Sequence, residues 1–297
     1  MRNVHAEQWA AIANANAARY EIIMSGGNAI APDPARGFDK PPIWEVGISA
    51  STSEQAIDPY NIKGVHDFFR DELPKVERQP PVGDLAAATF FGAPSPISPT
   101  SLGVPPRWFF ISEDERELLQ VQENFLGSNW RRVTGEQPGT SFDYPGFETI
   151  FAQAERRFGR LRSEIPNFPP PITGELLYSN LIPLVWPDGT MLRISEVLSE
   201  YKPSKRRTAR NFQMTFTENI DGIEPERALM NVNVSVVGMP RPDHAELLPL
   251  VRINFVGSAL VRSWDELLEI VNVSHDYMRE RLMSLTGERV HSMWSPR

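Results

Sequence analysis

Apolar and polar residues alternate most regularly in the middle of the chain, between Arg107 and Val133. Trp108–Ser112 is apolar and aromatic, the polar residues 113–116 suit a tight turn, and residues 119–124 then alternate with a period of two. The pattern predicts two or three consecutive antiparallel strands. Such a meander needs a helix or another sheet against its apolar face, because two or three bare strands are only marginally stable in water.

Two later segments have apolar residues at the three-and-four spacing of an amphipathic helix, Phe147–Glu164 and Trp264–Ser284. Ser263 precedes the second segment and Glu266 follows it by three residues, which is the pattern of a capping box at a helix start. We expect both helices to cover the predicted sheet.

The remaining periodic segments complete a mixed pattern of strands and helices. In the first strand, the side chains of Trp44, Val46 and Ile48 are predicted to share one face. A helix is predicted at Asn61–Val76, and a shorter one, capped by Ser195, at Ile194–Tyr201. Strands are predicted at Ile43–Ser49, Glu175–Leu184, Asn211–Thr217, Ala228–Val237 and Pro249–Val261. This order predicts an α+β fold with antiparallel sheet, covered by long helices and ending in a C-terminal helix.

The first forty residues differ in character from the rest. His5–Met24 has the pattern of an amphipathic helix, and Ser25–Pro42 is rich in Gly, Pro and Asp, which is typical of a linker. We therefore expect an N-terminal helical arm and linker over residues 1–40 and an α+β domain over 41–297. The domain is open to a division into two sub-halves near residues 202–210.

The amino-acid composition excludes several kinds of catalytic and metal-binding site. The 297 residues carry a net charge of −8 and include no cysteine, which excludes disulfides, thiolate catalysis and cysteine-ligated metals. The acidic balance argues against broad nucleic-acid binding. No apolar run approaches the length of a membrane span. We expect a cytoplasmic protein with no membrane partner.

Three stretches together resemble a sporadically distributed family of uncharacterised bacterial and archaeal proteins. They are the opening Pro41–Val46, which resembles a PPI-x-E-V strand; the Trp108–Glu113 meander with Asn129–Arg131 and the Tyr144–Phe147 helix entry; and a tail running from His275-Asp276 through Leu285-Thr286 to His291 and Trp294. The resemblance covers about residues 41–294 and implies no established activity. The patchy occurrence of such a family suggests genes that travel, such as antiviral defence or toxin–antitoxin components.

Catalytic signatures are not found in the sequence. It has no nucleophile elbow, no phosphate-binding glycine loop and no pair of histidines at the spacing of a helical zinc site. A metal site built from His275, Asp276 and His291 is one hypothesis. The other is that His275 faces the core and bonds a backbone carbonyl, while His291 and Trp294 dock the tail. We expect no catalytic residue, no cofactor and no bound metal, and lean towards a protein that is not an enzyme.

Six residues are candidates for binding. Glu45 lies inside an apolar strand, where it either faces solvent, pairs with a base such as Arg131, or faces a cavity with a raised pKa. Asn180 is one of several strand amides that form either a solvated sheet face or a polar recognition surface. Lys205, Arg206 and Arg207 belong to the basic stretch 202–210, which is either a solvated loop or a grip for phosphate, nucleic acid or an acidic partner.

These observations predict a protein that acts by binding. The first hypothesis is a non-enzymatic interaction component of a mobile defence or toxin–antitoxin type system, whose partner is another protein or a second copy of itself. The second is a small-ligand-binding domain with a pocket between the sheet and the C-terminal helix. The third is a metal-dependent hydrolase or nuclease. A closed apolar cavity would favour the second hypothesis, and converging acids and histidines would favour the third.

Overall fold

In the computed structural model, nine strands of the described chain form one antiparallel sheet. The structure describes residues 38–58, 61–80, 106–133, 135–201, 212–224, 226–241 and 244–294. The strands are β1 Ile43–Thr52, β2 Lys75–Gln79, β3 Arg107–Ile111, β4 Glu117–Gln122, β5 Phe125–Arg131, β6 Pro171–Pro183, β7 Gln213–Asn219, β8 Ala228–Arg241 and β9 His244–Leu260. Their order across the sheet is β2-β3-β4-β5-β1-β6-β9-β8-β7.

The predicted central meander is confirmed as β3, β4 and β5. Leu119 on β4 lies opposite Phe110 on β3 and Ser128 on β5, so the alternation of the sequence is the alternation of the sheet faces. Residues 113–116 form the turn between β3 and β4. Phe110, Leu119 and Leu126 are fully buried in the hydrophobic core on one face of this meander.

Five helices occur in the described residues, and only two of them are longer than six residues. They are α1 Ile62–Asp67, α2 Phe147–Glu164, α3 Ile194–Val197, α4 Trp264–Leu285 and α5 Glu288–Met293. Helix α2 packs on β5 and β1, and α4 packs on β6 and β9. The α+β class with antiparallel sheet is therefore confirmed, whereas the cover of long helices is limited to α2 and α4. No helix in the described ranges is long and apolar enough to cross a membrane.

The same connectivity occurs twice along the chain. In each half a strand (β1 or β6) is followed by a short helix, then by a meander whose last strand (β5 or β9) pairs with the first, and then by a covering helix (α2 or α4). The halves join through the antiparallel β1–β6 pair at the centre of the sheet. The repeat divides between Glu164 and Pro171. A division near 202–210 stays a prediction, since 202–211 lie outside the described residues.

Some local predictions were wrong. Trp44 does not share a face with Val46 and Ile48, because a β-bulge between Ile43 and Glu45 shifts the register and turns its side chain to the opposite face. The helix predicted over Asn61–Val76 ends at Asp67, and its last residues begin β2.

The two cap predictions had different outcomes. Ser195 lies inside α3, whose N-cap is Arg193. The cap of α4 is confirmed, because the Ser263 hydroxyl accepts a hydrogen bond from the Glu266 backbone N–H at 3.1 Å. The Glu266 carboxylate accepts from the backbone N–H of Arg262 rather than that of Ser263.

The two ends of the described chain meet. The Phe38 ring packs edge-on against Trp294 at 5.4 Å between ring centroids, and the backbone N–H of Lys40 donates to the Trp294 carbonyl at 3.0 Å. The compact body therefore includes residues 38–40 as well as residues from 41 onward. The predicted helical arm at His5–Met24 lies outside the described residues.

Candidate functional site: a cavity under the C-terminal helix

A cavity of about 40 Å³ lies between the sheet, helix α4 and the two ends of the described chain. Strands β6 and β9 form the floor of the cavity, and α4 forms one wall. Trp294, which follows α5, closes one end of the cavity. Most of the lining is apolar and comes from Phe38, Pro42, Ile43, Phe255, Met278, Leu282 and Met283. The apolar sheet face and the apolar stripe of α4 thus leave a space between them.

Among the polar side chains that line this cavity, three are at most 2% exposed. Asn180 is 0% exposed, His275 is 2% exposed and Trp294 is 1% exposed. Each has one buried atom without a hydrogen-bond partner in the described part of the chain: Asn180 Oδ1, His275 Nε2 and Trp294 Nε1. A buried polar atom left unpaired costs about 1–3 kcal/mol, but none of these three atoms is exposed to the cavity, whose accessible wall is apolar.

Asn180 is held from β6 by its own amide nitrogen. Its Nδ2 donates to the backbone carbonyl of Ile253 on β9 at 3.2 Å. That bond fixes which end of the amide is which, because only the nitrogen can donate to a carbonyl. The oxygen is then the free end, and it can only accept.

His275 is held from α4 by stacking and by one hydrogen bond. Its ring stacks on Phe147, the first residue of α2, with 3.8 Å between centroids and an interplanar angle of 8°. Its Nδ1 lies 3.0 Å from the Tyr178 hydroxyl, which is itself 3.4 Å from the Tyr144 hydroxyl. Burial, with a smaller effect from the Arg279 charge, lowers the pKa of His275 to about 3. The ring is therefore neutral at physiological pH.

The tail is fixed by contacts on both of its sides. His291 Nε2 lies 2.8 Å from the Thr286 hydroxyl, and the His291 ring packs on Trp294 at 5.1 Å between centroids. Trp294 also receives the Phe38 ring and the Lys40 N–H. His291 and Trp294 thus dock the tail as expected. His275 faces the core, also as expected, but it bonds a tyrosine hydroxyl instead of a backbone carbonyl.

A chain of hydrogen bonds lies on the face of the sheet opposite α2 and α4, and it ends at Glu45. Arg107 Nη1 donates to Gln120 Oε1 at 2.8 Å, Gln120 Nε2 to Asn129 Oδ1 at 2.7 Å, and Asn129 Nδ2 to Glu45 Oε1 at 2.8 Å. Gly47 makes room for the Asn129 amide, since a Cβ there would lie 2.5 Å from Nδ2. This chain joins strands β3, β4, β5 and β1.

The expected pairing of Glu45 with Arg131 occurs in register only. The two residues are opposite each other on β1 and β5, but Arg131 Nε donates to the Glu115 carbonyl. Burial raises the pKa of Glu45, while the Asn129 hydrogen bond and the charges of Arg131 and Arg107 oppose that rise.

The predicted binding residues fall into separate places. Asn180 lines the cavity, while Glu45 and Arg131 lie on the opposite face of the sheet. Lys205, Arg206 and Arg207 lie outside the described residues. His275 and Trp294 were noted only as core or docking residues. Their sequence signals were a histidine on an apolar helical stripe and a tryptophan in the tail.

Metal binding has no support from the described residues. Within those ranges, no group of three or more His, Cys, Asp or Glu side chains is placed to hold a metal ion.

Neither protein-family models nor curated proteins gave a match to this chain. The resemblance drawn from Pro41–Val46, the central meander and the tail therefore stays a prediction.

Proposed function

We propose that the chain is a small-ligand-binding domain whose site is the cavity between the sheet and α4. The observation that carries this proposal is a space of about 40 Å³ between the sheet and α4 whose accessible wall is apolar. Ligand sites in proteins are lined predominantly by apolar side chains.

Trapped water is the simplest other occupant, and the shape of the site argues against it. A space of about 40 Å³ has room for roughly three waters at 10–15 Å³ each. Each buried water needs two to four polar partners, whereas the accessible wall of this cavity is apolar. A small apolar molecule fits these walls better than a water cluster.

The test uses a cavity-filling variant and a matched surface variant. Met283→Trp places an indole at the cavity wall, and Met191→Trp makes the same change at a side chain that is 71% exposed. The probes are neutral fragments of about five heavy atoms, titrated by ligand-observed NMR, because small ligands reach the highest binding energy per atom. We expect the parent and Met191→Trp to bind the same fragments and Met283→Trp to bind none.

A second filling variant guards against misfolding. Leu282→Phe adds less volume at the neighbouring wall position and should weaken binding without unfolding the chain. The proposal fails if no fragment binds the parent protein. It also fails if the fragments that bind the parent bind both folded filling variants equally well.

An interaction with a second copy of the chain stays a second proposal. It is favoured by a separate apolar cluster on the sheet face opposite the two covering helices. Its members are Trp44, Leu181, Val185, Val237, Met239, Leu248 and Leu250. Several of them are only half-buried, so a partner would remove further apolar surface from water. The molar mass in solution, measured by light scattering, decides whether the chain self-associates.

A further inference from the structure

The two strands at the edges of the sheet differ in how well they are protected from further pairing. Strands β2 and β7 lie at opposite edges, so each has one side without a neighbouring strand. Strand β2 has only five residues, and three of them are charged: Lys75, Glu77 and Arg78. Short length and charge are common ways to keep an edge from pairing with another chain. Strand β7 has seven residues, no proline, one charge and an unbroken register with β8, so it lacks these protections.

The single charge of β7 is directed away from the open edge and is already balanced. The carboxylate of Glu218 accepts hydrogen bonds from Arg281 Nε and from the Tyr277 hydroxyl, each at 3.0 Å, and both partners belong to α4. The Glu218 side chain therefore lies on the sheet face that α4 covers. The alternate side chains of β7 are uncharged and exposed: Gln213, Thr215, Thr217 and Asn219.

The outer side of β7 has a row of unpaired backbone groups. The backbone N–H of Val236 on β8 donates to the Phe212 carbonyl at 3.0 Å, so the backbone groups of Phe212 are directed towards β8. This direction alternates from one residue to the next along an antiparallel strand. The residues whose N–H and C=O are directed outwards are therefore Gln213, Thr215, Thr217 and Asn219. In the described part of the chain, no strand or loop pairs with these outward groups.

This edge is complementary to a second copy of itself. When two β7 strands run antiparallel about a two-fold axis at Phe216, Thr215 of one copy lies opposite Thr217 of the other, and Gln213 lies opposite Asn219. Every outward N–H and C=O of the strand is then paired, whereas any other register leaves some of them without a partner. No like charges face each other across the axis, because Glu218 lies opposite Met214.

Phe216 adds an apolar contact at the centre of the same pairing. Its ring is half-buried against the core, and the Arg281 guanidinium lies 5.4 Å from the ring centroid. On the two-fold axis, the two Phe216 residues form a pair without mutual backbone hydrogen bonds, which is the arrangement that brings cross-strand side chains closest together. Pairing of the edges therefore also removes the exposed part of both rings from water.

We infer that β7 is the docking edge for a second copy of this chain, paired antiparallel about Phe216 so that two nine-stranded sheets become one continuous sheet. The inference goes beyond the proposed ligand site, since none of the described residues that line the cavity belongs to β7. The edge is also separate from the apolar cluster that contains Trp44 and Leu250, none of whose described members is on β7.

The experiment places charges at the two threonines that face each other across the axis. Thr215→Lys combined with Thr217→Lys brings like charges together, whereas Thr215→Lys combined with Thr217→Glu brings opposite charges together. Both double variants lose the same two exposed hydrogen bonds, which join Thr215 to Asn233 and Thr217 to Asn231, so they are matched in this respect. The molar mass is measured by light scattering over a range of protein concentrations.

We expect the parent and the lysine–glutamate variant to have twice the mass of one chain. The lysine–lysine variant should need a concentration at least about ten-fold higher to form the dimer, because like charges lie opposite each other. Thr215→Glu combined with Thr217→Glu should be weakened in the same way. Mixing equal amounts of the lysine–lysine and glutamate–glutamate variants should restore the dimer, and added salt should reduce the difference between the variants.

Three results would overturn the inference. The first is a parent protein that has the mass of one chain at every concentration. The second is a folded lysine–lysine variant that dimerises as tightly as the parent, since another surface, such as the apolar cluster, would then hold the two copies together. The third is an equal loss of the dimer in the lysine–lysine and lysine–glutamate variants, because Thr215 and Thr217 would then not face each other. Circular dichroism of each variant shows that it is folded.

Discussion

Single residues around the cavity show what a sequence conveys and what it withholds. His275 lies on a periodic apolar stripe, so its burial was predictable. Its partner was not, because Tyr178 is 97 residues away on another element. The same holds for Asn180, which sits among other strand amides in the sequence. Only the register of β1 and β6 shows that this amide faces α4.

The buried neutral state of His275 predicts a pH-dependent stability. Its pKa is about 3 in the folded chain and near 6.5 when unfolded, so between these values only the unfolded state binds the extra proton. The free energy of unfolding should therefore fall as pH is lowered from 7 towards 4, by at most about 1.4 kcal/mol per pH unit from this residue.

Urea denaturation at pH 7, 6 and 5 measures the effect in the parent protein and in His275→Phe. Phenylalanine keeps the stacking on Phe147 and cannot be protonated. The variant should therefore lose less stability than the parent over this range. His291→Phe is the control, since His291 is less buried and should change the slope less. Equal slopes for the parent and His275→Phe would contradict the prediction.

At the level of elements, long periodic segments were predicted well and short or irregular ones poorly. Helix α2 spans the predicted residues, and α4 extends the prediction by one residue at its end. The errors have physical causes. The bulge after Ile43 depends on pairing with β6, and β2 exists because it pairs with β3, so neither has a local signal. Apolar spacing alone could not separate the end of α1 from the start of β2.

The close packing of α4 on the sheet depends on a glycine. A Cβ at Gly174 of β6 would lie 2.1 Å from Leu267 Cδ1, so the helix approaches this strand closely because no side chain intervenes. Gly174→Ala should destabilise the chain by about 1–3 kcal/mol through overpacking. Combining it with Leu267→Ala should cost less than the sum of the two single changes, because the clash is then relieved.

Gly159 provides the matched control for this substitution. It lies within α2, where an added Cβ would meet nothing within 4 Å. Gly159→Ala should therefore stabilise the chain by about 0.5–1 kcal/mol, since alanine loses less backbone entropy in a helix. Chemical denaturation of the four variants and the parent gives all these values. Additive effects of Gly174→Ala and Leu267→Ala would show that this contact does not position α4.

For the whole molecule, the twice-used connectivity explains why one sheet carries two different surfaces. The covering helices α2 and α4 lie on one face, and the cavity forms where α4 and the tail leave a space above β6 and β9. The opposite face carries the chain of hydrogen bonds that ends at Glu45 and the second apolar cluster. The α+β class followed from the order of patterns, whereas the cavity required the packing of elements distant in sequence.

The last prediction concerns where the folded body begins. Phe38 and Lys40 contact Trp294, which lines the cavity, so a chain lacking residues 1–36 should keep the site and one lacking 1–40 should not. The shorter chain should melt about 2–4 °C lower, as expected for a loss of about 1 kcal/mol in a domain of this size. It should also bind more weakly the fragments that the parent binds, and Phe38→Ala in the full chain should reproduce part of both effects. If the two truncations melt together and bind those fragments equally, the body begins after Lys40.

Light scattering of the same proteins tests a separate point, whether the predicted helical arm at His5–Met24 mediates self-association. Both truncations should then be monomers while the full chain is not, because neither contains the arm. If all the proteins have the monomer mass, the arm does not mediate self-association.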